Sequence, residues 1–546
     1  MELKKNQLVP LLIEDLSRNG EGIGKFDGFT VFVKDAFIGD RIMVRLTKIN
    51  KSHGYGRLEE IIQPSSGRVP PRCPASRPCG GCQIQCLAYN EQLKFKEKTV
   101  RDALERIGGF NELPMEPILG MEDPWRYRNK AQFPVRRARD GRIAAGFYAG
   151  RTHALVETDD CLLGVPENRE VLQNVIRYME QHGIEPYEEK TGTGLIRHVL
   201  IRKAFATGQL MVCLIINGKK LPHCEKLIQL LENIKGMTSI CLNINTRQTN
   251  VILGDNTIHL WGKPYITDRI GNTFYRISAQ SFFQVNPVQT VRLYEKVLEF
   301  ADLKGKETIW DLYCGAGTIS LFLAPWAAKV NGVEIIPQAI ENARENAAIN
   351  SIRNAEFYVG KSEDVFPQKV MAESTPTDLV VVDPPRKGCD PLLLNTLLKV
   401  LPPRIIYVSC DPATLARDLA ILCKDKYRLV RVCPTDMFPH TVHIETVCLL
   451  SKLSEIKNHI SVKVDMNEMD LTAAESKATY QEIKEWVKEK YGFHVSHLNI
   501  AKTKRKCGII ERQNYNLPKS EDSRSPEIPK EKEEAIIAAF KAFRMI

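Results

Sequence analysis

Residues 308–323 read TIWDLYCGAGTISLFL: an apolar run that ends on polar residues, passes two glycines and resumes as an apolar helix pattern. Strand, glycine turn and helix in that order open an α/β unit. The turn lets backbone approach a ligand closely and lets the helix pack on the sheet. The alternation then repeats, with strands or strand ends at KVNGVEI (329–335), EFYVG (356–360), DLVVVD (378–383), RIIYVSC (404–410), RLVRVCPTD (428–436) and TVCLLSKL (446–453). Apolar runs of this length, separated by helices, indicate a sheet buried on both faces. We expect a doubly wound, Rossmann-like α/β domain over residues 273–455, with its ligands at the carboxyl ends of the strands.

Outside this domain the pattern changes. Residues 1–62 show short alternating runs such as LVPLLIEDL and FTVFVKDAF between glycine-rich turns, which predicts a small OB-type β-barrel. Lys48, Lys51 and His53 give its last strands a basic edge. Residues 63–272 read as a central α+β domain. It opens on the loop RVPPRCPASRPCGGCQIQC (68–86), continues as a helix from about Tyr89 to Ile107 with Leu93, Val100 and Leu104 along one face, and then forms an antiparallel sheet. Its strands are expected within FPVRRARDGRIAAGFYAG, HVLIRKAF, LMVCLIIN and SICLNINT. Residues 456–546 form a small helical, basic extension. Ile483, Val487 and Tyr491 are spaced as one apolar face, and HVSHLNIAKTKRKCGI is a second, basic helix. Together they look like a helix-turn-helix unit that touches phosphates, or a solvated appendage.

A chain of 546 residues is long enough for three or four domains, and 43% hydrophobic with 26% charged residues is the balance of a globular protein. No run reaches membrane-spanning length, and MELKKNQLVP has no signal-peptide core, so a monomer in the cytoplasm, without a membrane partner, is expected. The net charge of +10 favours a polyanionic partner only mildly. Fifteen cysteines in that compartment are a poor disulfide framework; most should be small buried hydrophobes.

Two positions identify the ligand of the α/β domain. Glu334 follows the glycine turn by about twenty residues, where an acidic side chain can accept both hydroxyls of a ribose. There is no complete GxGxxG and no phosphate-binding lysine motif, which argues against dinucleotides and nucleoside triphosphates. Asp383 ends another strand and is followed by two prolines, as where a planar base lies beside a methyl donor. The combination resembles the S-adenosylmethionine-dependent methyltransferases.

SCDP (409–412) places Cys410 between a strand and a helix, where the helix N-terminus should favour its thiolate. HTVHIETV (440–447) brings Glu445, with His440 and His443, to the same sheet edge. A thiol and a carboxylate suit methylation at C5 of uracil. That carbon is too weak a nucleophile until a thiolate adds at C6, and a base must then take the C5 proton before the thiol can leave. Cys410 is the expected nucleophile and Glu445 the expected base.

QSFFQVN (280–286), DLYCGAGT, VEI, DPPRKG, SCDP and HIET, in this order, resemble the RNA uracil-C5-methyltransferase family, over roughly residues 1–455. The resemblance implies a TRAM-type barrel at the N-terminus and S-adenosyl-L-methionine as cofactor. It implies that Gln284, Tyr313, Glu334 and Asp383 bind the cofactor, with Cys410 as nucleophile and Glu445 as proton acceptor. Phe283 is a candidate for stacking on the target base, or a core residue. The uridine must be unstacked to reach the pocket, which is cheapest in a loop or bulge.

Cys73, Cys79 and Cys82 have the spacing C-x5-C-x2-C in a loop with few apolar residues to bury them, which points to a metal site. Thiolate ligation fits zinc or an iron–sulfur cluster alike. The resemblance implies a [4Fe-4S] cluster on Cys73, Cys79, Cys82 and the distant Cys161, with Cys86 a local rival for the fourth place. It also implies structured RNA as partner, with 23S rRNA the expected substrate and tRNA the alternative. A non-catalytic RNA-binding protein and a DNA cytosine-C5 methyltransferase are weaker readings, because Cys410 and Glu445 are both present and the thiol comes late in the sheet.

Overall fold

The computed structural model describes residues 3–150, 152–372, 374–453, 480–507 and 528–543. The chain divides into two compact units, Met1–Ser454 and Glu455–Ile546.

The strands Leu8–Leu16, Gly22–Phe26, Phe29–Val33, Arg41–Ile49 and His53–Gln63 close into a barrel. Alternation puts Val9, Leu11, Ile13, Val31, Val33, Val44 and Leu46 inside. Gly56 is required by this packing, since a β-carbon there would lie 2.0 Å from Val44 Cγ1. The alternate positions of the same strands turn Phe32, His53 and Tyr55 outward.

The central sheet has seven strands, in the order Asn256–Gly262, Met237–Ile244, Leu210–Ile216, Ile196–Lys203, Lys130–Arg137, Ile143–Tyr148 and Leu155–Glu157. It departs from the expected antiparallel sheet at one pair: Leu210–Ile216 and Met237–Ile244 run parallel. The cause is the intervening helix Cys224–Leu231, which carries the chain back across the sheet before it re-enters. All seven residues of Leu210–Ile216 are buried, as covered faces demand. The hairpin of Ile266–Ile270 and Thr273–Ile277 stands apart as its own two-stranded sheet, and the 272/273 boundary expected from the sequence falls in its turn.

The third sheet is the doubly wound one. Its order is Ala355–Val359, Lys329–Glu334, Thr308–Leu312, Leu379–Val382, Arg404–Ser409, Glu445–Lys452 and Tyr427–Thr435. The first five are mutually parallel, and Glu445–Lys452 runs antiparallel to both of its neighbours. Side chains from its two faces enter two separate apolar clusters. Ile309, Val330, Val381, Ile406 and Val447 lie in one; Trp310, Leu312, Val380, Tyr407 and Cys448 lie in the other.

The helix Tyr89–Arg106 joins the barrel and cysteine loop to this domain. Val100 and Leu104 pack with Leu415, Leu419 and Leu422, as an apolar face predicts. The same buried face also carries Gln92 and Lys96. Lys96 is fully enclosed, its ammonium 2.5 Å from Asp436 Oδ1 and 2.9 Å from the Phe438 carbonyl. Burial pulls the Lys96 pKa down while Asp436 opposes it. The Tyr89 hydroxyl donates to the other Asp436 oxygen at 2.8 Å.

In the second unit the helices Tyr480–Tyr491, His497–Lys506 and Lys530–Ala542 share a small core of Ile483, Val487, Val495, Ile500, Ile536 and Phe540. The apolar face expected to reach Tyr491 stops at Val487: Tyr491 is 44% exposed, because the chain turns away at Gly492, in the left-handed region at φ 75°. The basic helix is tied to its neighbour where Lys506 pairs with Glu533 at 2.6 Å. Residues 508–527, between the last two helices, lie outside the described residues. Among those described, no helix is long and apolar enough to cross a membrane.

Removing one partner of an enclosed ion pair strands the other charge, at a cost of about 3–5 kcal/mol. Lys96→Met should therefore destabilise the protein by that order in denaturant unfolding. Lys96→Met combined with Asp436→Leu should recover much of the loss.

Candidate active site

The glycine turn is built from left-handed backbone. Tyr313 (φ 70°), Gly315 (φ 55°) and Gly317 (φ 75°) alternate with ordinary residues. At Gly317 a β-carbon would come within 3.0 Å of the Phe357 ring and 3.1 Å of Ala343, so only glycine lets the following helix sit this low. Tyr313 holds the same conformation with a side chain, a local strain of the kind that collects at ligand sites. Its hydroxyl accepts from the Asp390 N–H at 3.4 Å.

Glu334 ends the next strand, and its carboxylate accepts from the Gly315 N–H at 3.3 Å and the Ile336 N–H at 3.0 Å. Asp311, beneath the turn, is wholly enclosed and takes the Ser320 hydroxyl at 2.5 Å. Burial, with Glu334 adding to it, raises Asp311 to about 6. Asp383, at the end of Leu379–Val382, is pushed up to about 7 by burial and by the charge of Asp311. Asp311 thus stands between the two carboxylates expected at the cofactor, Glu334 and Asp383, in a chain of repelling charges along one sheet edge.

Gln284 approaches from the segment QSFFQVN, which is held by the central sheet. Asn129 donates through Nδ2 to the Gln284 carbonyl and through its backbone to the Val285 carbonyl, both at 2.9 Å. Arg202, buried, donates to the Ser281 carbonyl at 2.5 Å. Phe283 is not available for stacking. It is 4% exposed and packs against Tyr275, because this face of the segment closes the core. Phe282 next to it is 73% exposed. Two adjacent aromatics carry no period that tells which one faces out, so the sequence could not separate them.

Cys410 and Glu445 meet through strand register. Ser409 is paired with Thr446, so the residue after one strand and the first residue of its antiparallel neighbour stand side by side. Glu445 is 5% exposed, and burial with the Asp383 charge holds its carboxyl well above the usual range, opposed by the Arg386 guanidinium. Burial, then Glu445 and Asp383, push the Cys410 thiol up to about 12, with Arg386 again opposing.

This reverses the expected stabilisation of the thiolate by the helix Pro412–Leu422. The N-terminal N–H groups of Ala413 and Thr414 are already taken, at 2.9 and 3.2 Å, by the carboxylate of Asp411, the N-cap. A capped helix whose cap is itself negative offers a neighbouring thiolate little. His443 is half-buried near Phe438, its pKa lowered by burial and by Arg386, Lys96 and Arg128. His440 is buried in the turn before it.

The cysteine loop runs beside the strand Ile143–Tyr148, with the Gly80 N–H on the Tyr148 carbonyl at 3.0 Å. Burial raises the thiols of Cys73, Cys79 and Cys82, and the last reaches about 12; Cys161 adds to all three. Cys161 is brought there by Arg126, which grips Asp160 at 2.5 Å and the Cys161 carbonyl at 3.1 Å. Cys86 has a different neighbourhood, of Arg68, Asp35 and Arg77. Among the described residues, no three His, Cys, Asp or Glu side chains are gathered tightly enough to hold a metal ion as they stand. Thiols are the kind of donor that zinc or an iron–sulfur cluster takes.

On the barrel, the rings of Phe32, His53 and Tyr55 lie 5.5–5.7 Å apart, with Lys48 paired directly across from Tyr55.

The sequence pattern of the tRNA (uracil-5-)-methyltransferase family matches residues 89–453, and that of the TRAM domain matches residues 2–58. An RNA methyltransferase of Clostridium tetani is 46% identical over 456 residues, 83% of this chain and 98% of the relative. One from Halalkalibacterium halodurans is 47% identical over 457 residues, 84% of this chain and 98% of the relative. The crystal structure of Pyrococcus abyssi tRNA (uracil-54, C5)-methyltransferase with S-adenosyl-L-homocysteine is similar at a TM-score of 0.66 and 30% identity. It covers 81% of this chain and 100% of its own.

A thiol held at about pKa 12 should react slowly at neutral pH, and about tenfold faster per pH unit up to about pH 10. Iodoacetamide labelling of Cys410, followed by mass spectrometry, should show that rise without a plateau. Asp383→Asn removes a negative neighbour and should speed the labelling at fixed pH.

The family pattern over most of Met1–Ser454, the relatives and the shared fold agree: the chain belongs to the tRNA (uracil-5-)-methyltransferase family, S-adenosylmethionine-dependent RNA methyltransferases, and carries a TRAM domain.

Proposed function

We propose that this chain methylates C5 of a uridine in structured RNA, with Cys410 as nucleophile and Glu445 as base. The observation that carries this reading is the register pairing of Ser409 with Thr446, which sets thiol and carboxylate side by side at the ligand edge of the sheet.

S-Adenosylmethionine supplies an electrophilic methyl group, and Gln284, Tyr313, Glu334 and Asp383 are the residues proposed to hold it. Cys410 passes its proton to water, and its sulfur forms a bond to C6 of the uracil. The electron pair of the C5–C6 double bond moves into an enolate, whose C5 would attack the donor's methyl carbon as the methyl–sulfur bond breaks and S-adenosylhomocysteine leaves. Glu445 then removes the C5 proton, the double bond re-forms and the thiolate departs. A base whose pKa is raised holds that proton better than an ordinary carboxylate, which suits the last step. The flipped base needs a flat partner, and Phe282 has the exposure for it. On the barrel, Phe32, His53 and Tyr55 offer a stacking platform for unpaired nucleotides, with Lys48 for the backbone.

The proposed substrate is 23S rRNA, on the resemblance of the cysteine-bearing, barrel-bearing chain to enzymes of that kind. The second reading, tRNA, is favoured by the likeness to the Pyrococcus abyssi enzyme over its whole length. RNA from cells lacking the gene should miss 5-methyluridine at a defined position, in rRNA on the first reading and in tRNA on the second. Wild-type protein should restore it in vitro. Cys410→Ala should restore none and form no adduct with 5-fluorouridine RNA; turnover by that variant would sink the nucleophile assignment. Glu445→Gln should add to C6 and stall as a protein–RNA adduct.

Cys73, Cys79, Cys82 and Cys161 are proposed to hold a [4Fe-4S] cluster as a structural or RNA-contacting element. Anaerobically purified protein should contain about four iron and four sulfide per chain. Cys161→Ser should lose them and Cys86→Ser should keep them. Colourless protein holding zinc would overturn the assignment.

A further inference from the structure

His440 takes no part in the chemistry derived above, yet its backbone is held in a conformation that a residue with a β-carbon rarely adopts, at φ 68°. The constraint comes from three separate parts of the chain. The His440 carbonyl accepts from the N–H groups of Gln83 and Ile84, both at 3.1 Å, directly after Cys82. Its N–H donates to Gln92 Oε1 at 2.9 Å on the helix Tyr89–Arg106, and Gln92 Nε2 lies 3.2 Å from the ring Nδ1. The Trp125 ring lies over the imidazole, with centroids 3.9 Å apart and planes at 30°. Two residues later the Val442 N–H reaches Gln83 Oε1 at 3.4 Å.

Gln92 is completely buried and His440 is 3% exposed, so these bonds do not compete with water. At the other end of the same turn, Lys96 holds Asp436 and the Phe438 carbonyl. The segment between Asp436 and Ile444 is therefore gripped at both ends before it delivers Glu445 to the first position of its strand. Cys410 is placed by different elements, the end of its own strand Arg404–Ser409 and the start of the Asp411-capped helix Pro412–Leu422.

We propose that Gln83, Gln92 and His440 form a clamp through which the cysteine loop and the linking helix fix the position of Glu445, making them positioning residues for removal of the C5 proton. The proposal rests on Glu445 being the base. Because the nucleophile is held independently, loosening the clamp should slow release of the thiol while leaving RNA binding and attack at C6 in place. A purely structural role would instead lower activity in proportion to folded protein.

The test uses the full-length chain, radiolabelled S-adenosylmethionine and total RNA from cells lacking the gene. Gln92→Met keeps the length and bulk of the side chain but loses both bonds to His440, and is made alone and with Gln83→Ala. Expected are a fall in kcat of about 10- to 100-fold, a KM for RNA that does not rise, and accumulation of a denaturation-resistant protein–RNA adduct. Unchanged kcat, or a fall without adduct, overturns the clamp.

If Gln92→Met does not fold, His440→Asn and His440→Val decide. Asn tolerates the left-handed backbone and Val does not, so Asn should keep about tenfold more turnover, and equal turnover overturns the proposal. Glu445→Gln runs alongside. Absence of adduct in that variant defeats the base assignment itself. Adduct there, with wild-type turnover in Gln92→Met, defeats only the clamp.

Discussion

The strand Glu445–Lys452 runs against the five parallel strands of its sheet, and its register with Arg404–Ser409 decides where a carboxylate can meet a thiol. In a parallel sheet only strand ends collect at the ligand edge. A reversed strand contributes its beginning there instead, so the chain can bring Glu445 to Cys410 after making a long excursion through another strand. The register has little freedom. Val447 enters one apolar cluster, while Cys448 and Leu450 enter the other. A slip of one residue would exchange the two sets and carry Glu445 to the wrong face.

The same edge gathers Asp311, Glu334, Asp383 and Glu445, and burial leaves Asp311, Asp383 and Glu445 little solvent to relax into. Asp311 and Asp383 respond by holding protons more tightly, at about 6 and about 7, and Glu445 moves the same way. Arg386 is the cation that opposes the trend at both Glu445 and Cys410. Such crowding costs stability unless a cation, such as a sulfonium, offsets it. The enclosed Lys96–Asp436 pair is a different case: a complete charge pair, satisfied locally, that fastens one element to another.

Much of this was legible in the sequence because it is local. The glycine turn at 313–317, the strand ends bearing Glu334 and Asp383, and the SCDP and HIET segments each combine an apolar run with a short polar signature. What escaped was decided by tertiary packing. The sequence reading of this helix took in only Leu93, Val100 and Leu104, and only the fold shows that the partners of Gln92 and Lys96 arrive some 340 positions later. The parallel pair in the central sheet depends on where a short helix carries the chain. Phe282 and Phe283 differ only in which way the segment is rolled, and Arg202 and Asn129 set that from another sheet. The helix N-terminus was expected to favour the Cys410 thiolate, whereas the Asp411 carboxylate takes the N–H groups that this would need.

That cap bears on how the protein survives between encounters with RNA. Oxidants and electrophiles attack thiolates, and susceptibility follows thiolate character and exposure. A half-buried Cys410, its helix end already spoken for and carboxylates on two sides, stays in the thiol form at neutral pH. The resting enzyme thus resembles a safety catch. The group proposed as the nucleophile is among the chain's slower thiols as it stands.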